Sequence, residues 1–165
     1  MIQPQPPNFD IHSYSFDVEV EVEAGKDAVW QWLNDPKTFT ETQVWPYKVE
    51  FYSPSKDIPN GFHEGVLTNH TGPLINFAGV LTEIKEDYRD LQYYYGSYAL
   101  NFGLVRPYRL EFKTTEHDSS TTITCTISSY VKPSFYKTWD RLNKLFWRKF
   151  KRWSKKSIMK IEAAS

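Results

Sequence analysis

The sequence predicts an α+β domain in which a seven-stranded, curved antiparallel sheet wraps around one long C-terminal helix. The stretch 134–164 contains neither Gly nor Pro, and its apolar residues recur at the 3.6-residue period of a helix. Upstream, stretches that alternate apolar and polar residues are separated by short turn segments, a pattern typical of antiparallel hairpins. A twisted sheet with one apolar face can bury the apolar face of a single long helix.

The elements follow in the order one strand, two short helices, six strands and the long helix. Residues 13–23 alternate strictly, as a half-buried strand does. Residues 26–34 carry apolar side chains at helical spacing, and 36–42 are a candidate for a second short helix. The later strands are predicted at 45–53, 62–70, 74–85, 91–100, 105–115 and 121–131.

The long helix is predicted to have two different faces. At about 100° per residue, an apolar stripe forms from Phe135, Trp139, Leu142, Phe146, Phe150 and Trp153. Residues 134–165 hold ten Lys and Arg against two acidic residues, whereas the remaining chain holds ten against 18. We interpret this split as a basic helix lying across an acidic sheet surface. The alternative is peripheral association of the basic face, with Trp147 on it, with an anionic lipid or nucleic-acid surface.

Length and composition narrow the class of protein. The 165 residues suit one domain, predicted at 13–165, preceded by a flexible N-terminal arm at 1–12. The single Cys125 excludes an internal disulfide framework and a cysteine-based zinc site. The start of the sequence lacks the pattern of a signal peptide, and no apolar run reaches the length of a membrane span, so we expect a cytoplasmic protein. We expect no cofactor, no metal site and no specific nucleic-acid partner, and the sequence leaves the oligomeric state open.

Two segments carry a resemblance to a known family. Residues 18–22 (VEVEV), followed by 24–30 (AGKDAVW) and 33–36 (LNDP), resemble the first strand and helix of the START-like superfamily, also called SRPBCC or Bet v 1-like. Residues 79–87 (GVLTEIKED) leading to 89–93 (RDLQY) resemble its strand, acidic turn and next strand. The resemblance spans about 13–163. It implies a helix-grip fold with a hydrophobic cavity between sheet and helix, in a superfamily that binds lipids, sterols, polyketides or plant hormones and has no universal catalytic residue.

We therefore expect binding or carriage of an apolar small molecule of the lipid, polyketide or aromatic type. Candidate lining residues are Tyr93, Tyr95, Tyr98, Tyr108, Phe135, Trp139 and Leu142. His70 precedes a turn expected at the cavity mouth, and either Arg106 or Arg109 should point inward, where it could bind a carboxylate or enolate oxygen. The alternative function is a polyketide cyclase or dehydratase type of enzyme that uses these Tyr, His and Arg side chains. Ordinary core packing explains the aromatic residues equally well, and an exposed position explains His70 and the arginines.

Overall fold

The computed structural model describes residues 10–41, 47–72, 76–96 and 103–162. Its elements are β1 (His12–Val22), α1 (Lys26–Asn34), α2 (Pro36–Thr40), β2 (Lys48–Tyr52), β3 (Leu67–Thr71), β4 (Asn76–Ile84), β5 (Tyr88–Gly96), β6 (Val105–Glu116), β7 (Thr121–Val131), a 3₁₀ turn (Pro133–Phe135) and α3 (Tyr136–Glu162). The seven strands form one curved antiparallel sheet in the order β1-β7-β6-β5-β4-β3-β2. The predicted fold class and element order are confirmed.

The faces of the sheet follow the sequence alternation. In β7, the inward positions are buried, as predicted: Ile123, Cys125, Ile127, Ser129 and Val131. In β1, Tyr14 and Val20 are buried, whereas Glu19 and Glu21 are exposed on the outer face. His12 already pairs with Val131, so β1 begins inside the predicted arm. Residues 1–9 of that arm lie outside the described residues, and the assignment of 13–165 to one domain stays a prediction.

The starts of the third and fifth strands differ from the prediction for reasons that the structure shows. The third strand begins at Leu67 because 61–66 form a turn, in which the amide of Val66 donates to the carbonyl of His63 (3.1 Å) and Gly65 has φ +84°. The fifth strand begins at Tyr88 because a tight hairpin, in which Lys85 N donates to Tyr88 O (2.8 Å), limits the turn to two residues. Both strand boundaries depend on local hydrogen bonds that hydrophobic alternation does not report.

Helix α3 is rotated by about 70° from its predicted phase. Its buried stripe consists of Trp139, Asn143, Trp147, Phe150, Ser154 and Ile158. Leu142 is 43% exposed, whereas Trp147, which was predicted on the basic surface, is only 4% exposed. The polar members of the stripe tolerate burial because they bond within the helix: Asn143 Nδ2 donates to Trp139 O (3.0 Å), and Ser154 Oγ donates to Phe150 O (2.9 Å).

Helix α1 packs against the C-terminal half of α3 and closes one end of the interior. The Trp32 and Trp153 rings lie 4.9 Å apart, and Trp32 Nε1 donates to Ser157 Oγ (2.9 Å). Val29 and Leu33 are fully buried beside them. Among the described residues, no helix is both long enough and apolar enough to cross a lipid bilayer.

Candidate ligand-binding site

The strand register defines the edge of the sheet at which α3 begins. Val131, at the end of β7, pairs with both His12 and Val105, the first residues of β1 and β6. Farther along the strand order, at the same ends of the strands, Phe77 pairs with His70 near the end of β3 and with Gly96 at the end of β5. We call this edge the α3-start end. The first turns of α3 cover the inner face of β1 here, where the Tyr14 hydroxyl donates to Asp140 Oδ1 (3.2 Å) and the Tyr14 ring contacts Tyr136.

Several buried polar atoms in the interior have no hydrogen-bond partner among the described residues: Thr68 Oγ1, His70 Nε2, Thr114 Oγ1, Ser129 Oγ and Trp139 Nε1. Three of them lie toward the α3-start end. Ser129 pairs with Tyr14, His70 lies on β3, and Trp139 lies at the start of α3. Each unpaired buried donor or acceptor costs about 1–3 kcal/mol. Such atoms are consistent with a site in which a bound molecule or ordered water supplies the partners.

His70 and Tyr93 form a contact across the inner face. The Tyr93 hydroxyl lies 3.5 Å from His70 Nδ1, and the two rings meet edge-on with centroids 5.4 Å apart. Burial, and to a smaller extent the charge of Arg89, lower the pKa of His70 from 6.5 to about 3. Burial also raises the pKa of Tyr93, so its hydroxyl stays protonated and can donate to Nδ1. With Nδ1 as acceptor, the neutral imidazole carries its proton on Nε2, which is the unpartnered atom.

Gly79 lies between these two strands, opposite both Thr68 and Tyr93. A Cβ at this position would lie 2.5 Å from the backbone oxygen of Gln92. The register of β4 against β5 also shifts between Ala78 and Gly79. Glycine is therefore required here by close backbone approach at a bulge, and it places no side chain between Thr68 and Tyr93.

Arg89 is a buried residue that the sequence reading missed. Only 3% of it is exposed, and its guanidinium carbon lies 3.8 Å from the Phe62 ring centroid and 4.7 Å from that of Phe112. Its Nη1 donates to Leu33 O and to Asn34 Oδ1. No described residue forms an ion pair with it, and burial lowers its pKa to about 9, which leaves it protonated at neutral pH.

These contacts make Arg89 a link between the end of α1 and the sheet, because a cation near the last carbonyls of a helix is favourable there. Its guanidinium lies among aromatic rings at the end of the interior away from the α3-start end. The sequence signal was the alternation of Arg89, Leu91 and Tyr93, all of which are buried. Placing Arg89 in the preceding turn concealed that alternation.

Arg106 and Arg109 both face outward, which corrects the prediction that one of them points inward. They pair with Tyr130 and Ser128, two neighbouring outer-face positions of β7. The register shift between Pro107 and Arg109 explains the error, because a bulge places residues three apart on the same face. Arg109 Nε pairs with Asp90 Oδ1 at 2.9 Å on that outer surface.

The other predicted lining residues divide between the interior and the surface. Tyr93 and Trp139 are buried inside, and Phe135 is half-buried and packs against the core. Tyr108 stacks on outer-face Tyr130 with centroids 4.6 Å apart, and Leu142 is exposed, so neither lines the interior. The Tyr95 side chain and all of Tyr98 lie outside the described residues.

Comparison with solved structures finds matches that cover most of this chain. Norcoclaurine synthase from Thalictrum flavum, in complex with dopamine and hydroxybenzaldehyde, is 17% identical with a TM-score of 0.64, over 97% of this chain and 96% of that one. A START superfamily protein from Mycobacterium smegmatis is 10% identical with a TM-score of 0.65, over 89% and 98% of the two chains. A protein of the dynemicin biosynthetic locus is 15% identical with a TM-score of 0.54, over 84% of this chain and 46% of that one.

No protein-family model and no curated protein sequence matches the chain. At 10–17% identity, the structural matches concern the fold alone. They agree with the observed element order, in which a strand, two short helices and six strands precede the long helix. The chain therefore has the START-like, or Bet v 1-like, helix-grip fold that the sequence resemblance implied.

Proposed function

We propose that the protein binds a small, largely apolar molecule between the inner face of the sheet and the first turns of α3. The observation that carries this proposal is the set of unpartnered polar atoms near the α3-start end: His70 Nε2, Ser129 Oγ and Trp139 Nε1. The His70 ring lies beside Tyr93, which in turn contacts Phe77, and Trp139 is itself buried. A ligand that filled this region and offered hydrogen-bond partners would recover the cost of burying these atoms unpaired.

The polar atoms also suggest the chemistry of the ligand. Trp139 Nε1 is only a donor, and the neutral His70 ring presents an N–H at Nε2 when the Tyr93 hydroxyl donates to its Nδ1. The Ser129 hydroxyl can donate or accept. Uncharged donors favour an uncharged ligand with carbonyl, phenol or hydroxyl oxygens on an apolar body. The complex of norcoclaurine synthase with dopamine and hydroxybenzaldehyde shows that the same fold holds small aromatic molecules in that protein.

The geometry favours binding over the enzymatic alternative. Both arginines that would polarise a carbonyl face outward. His70, with its pKa lowered to about 3, is a weak base for abstracting a proton at neutral pH. Binding and carriage require neither group to be charged, so they are the function we propose.

Two buried serines provide a matched test. Ser129 and Ser154 are both fully buried, but only Ser154 Oγ has a partner, Phe150 O. We use 2-naphthol as an apolar probe with a phenolic oxygen and naphthalene as its apolar counterpart, with binding measured by fluorescence titration. Ser129→Ala should weaken 2-naphthol binding about fivefold and leave naphthalene binding unchanged, whereas Ser154→Ala should change neither.

The two serine variants should also differ in the absence of a probe. Ser129→Ala removes an unpaired hydroxyl and should raise the free energy of unfolding by about 1 kcal/mol. Native mass spectrometry of freshly purified protein then looks for a small molecule that co-purifies. If no such molecule appears, and neither probe binds saturably up to millimolar concentration, the proposal is wrong.

A further inference from the structure

The side of α3 that faces away from the sheet combines positive charge with exposed leucines. We call it the outward ridge, and it consists of Arg141, Leu142, Leu145, Arg148, Lys149, Arg152 and Lys156, all of them exposed. Leu145 is 46% exposed and has Arg141, Arg148 and Lys149 as its neighbours three or four residues away on the helix. Leu142 and Leu145, adjacent on the helix and each more than 40% exposed, are unusual in the middle of a cationic face.

No described acidic residue forms an ion pair with a ridge residue, although the charge of Arg141 contributes to lowering the pKa of the neighbouring Asp140. Among the described residues, the one ion pair of α3 joins Lys144 to Asp140 of the same helix. The exposed acids of β1, such as Glu19 and Glu21, lie on the outer face of the sheet, in register with Thr124 and Thr122. The helix covers the opposite, inner face. These β1 acids therefore lie on the side of the sheet away from the helix and do not pair with the ridge.

We propose that the outward ridge docks this protein onto the surface of an anionic lipid bilayer. An anionic bilayer interacts favourably with both components of the ridge. Its acidic headgroups attract the cations, and the leucine side chains insert at the boundary between headgroups and acyl chains. A nucleic acid would attract the cations alone and leave Leu142 and Leu145 exposed to water. The burial of Trp147 makes these leucines the apolar part of the contact. Because α3 is not apolar enough to cross a bilayer, it lies along the surface.

The test is co-sedimentation with vesicles of phosphatidylcholine alone and of phosphatidylcholine with phosphatidylserine, at 0.05 and 0.5 M salt. Binding should require phosphatidylserine and fall steeply at the higher salt, at which charges are screened within a few ångströms. Arg141→Gln/Arg148→Gln/Arg152→Gln should weaken binding about 100-fold, from about fivefold per cation. Leu142→Gln/Leu145→Gln should weaken it about tenfold at low salt.

The matched control neutralises three exposed lysines away from α3, in the variant Lys37→Gln/Lys56→Gln/Lys113→Gln. It should bind within about threefold of the natural protein, because these side chains lie off the ridge. All the substituted residues are exposed, so urea unfolding should show unchanged stability. The proposal is overturned if phosphatidylserine vesicles bind no protein, if the control loses as much affinity as the ridge variant, or if the leucine variant binds vesicles normally. Ligand binding is measured without vesicles, so this proposal can fail while the proposed function stands.

Discussion

Acidification should destabilise this protein through His70. The ring is edge-on to Tyr93 with its Nε2 sealed from solvent, and its pKa lies at about 3, against 6.5 for an exposed histidine. Between these two values, the unfolded chain binds a proton that the folded chain does not. Stability contributed by the neutral ring is therefore fully present above pH 6.5 and is lost as the pH falls toward 3.

The size of the effect follows from the two pKa values. Between pH 7 and pH 5, the unfolded state gains about 2 kcal/mol from protonation of this one ring, while the folded state gains almost nothing. The full difference, reached near pH 3, is about 5 kcal/mol. A single domain has only about 5–15 kcal/mol of stability in total, so His70 alone could govern acid unfolding.

Urea unfolding at pH 7, 6 and 5 measures this contribution. The variant His70→Gln removes the titrating ring, and its free energy of unfolding should fall about 2 kcal/mol less than that of the natural protein between pH 7 and 5. His117→Gln is the control, because His117 is exposed and bonds Thr122 Oγ1 at 3.1 Å on the surface. Other titrating groups cancel in this comparison. Equal pH dependence in all three proteins would refute the assignment of His70 as a buried, neutral ring.

Four further substitutions test the packing by the same urea unfolding measurement. Trp147→Ala should lower the free energy of unfolding by about 3–5 kcal/mol, and Leu142→Ala should lower it by less than about 0.5 kcal/mol. A larger loss for Leu142→Ala than for Trp147→Ala would support the helix phase predicted from the sequence instead. Gly79→Ala should cost about 1–3 kcal/mol, because its Cβ would lie 2.5 Å from Gln92 O, and an unchanged midpoint would contradict that close approach. Arg89→Ala should cost about 3–5 kcal/mol through lost aromatic packing and hydrogen bonds, and a neutral result would show that α1 does not depend on it.

The sequence predicted the elements whose signal is carried by neighbouring residues. β7 was placed at its observed bounds, Thr121–Val131, and its inward face was correct, because a regular strand alternates faces without exception. The helix α1 was also placed correctly. The long helix α3 was evident for two reasons. Some thirty residues contain neither Gly nor Pro, and their apolar side chains recur with the 3.6-residue period of a helix.

The phase of α3 could not be predicted from apolar residues alone. A hydrophobic wheel counts Leu142 toward the core and Asn143 against it, and the structure reverses both. Asn143 is acceptable inside because it bonds Trp139 O and accepts from Trp147 Nε1 at 3.3 Å. Whether a polar side chain can satisfy itself within a helix depends on its neighbours one turn away, which a scale of single-residue hydrophobicity ignores.

The predicted directions of the arginine side chains depend on contacts between strands that are distant in sequence. The inward direction of Arg106 or Arg109 was deduced for a regular strand, but a single bulge at 107–109 cancels the deduction. The position of a bulge is set by pairing with another strand, so it is absent from the local pattern. The roles of His70 and Trp139 in ligand binding stay predictions, and their unpartnered nitrogens become visible only when every neighbouring donor and acceptor is placed.

The two ends of the interior differ in how their polar groups are satisfied, and this difference locates the proposed site. At the α1 end, Trp32 donates to Ser157, Arg89 donates to Leu33, and Thr121 Oγ1 donates to Ala24 O at 2.8 Å. Thr114 is the exception there. At the α3-start end, His70 Nε2, Trp139 Nε1 and Ser129 Oγ have no partner among the described residues. Satisfying these three buried atoms would add stability, and we propose that a bound ligand does so.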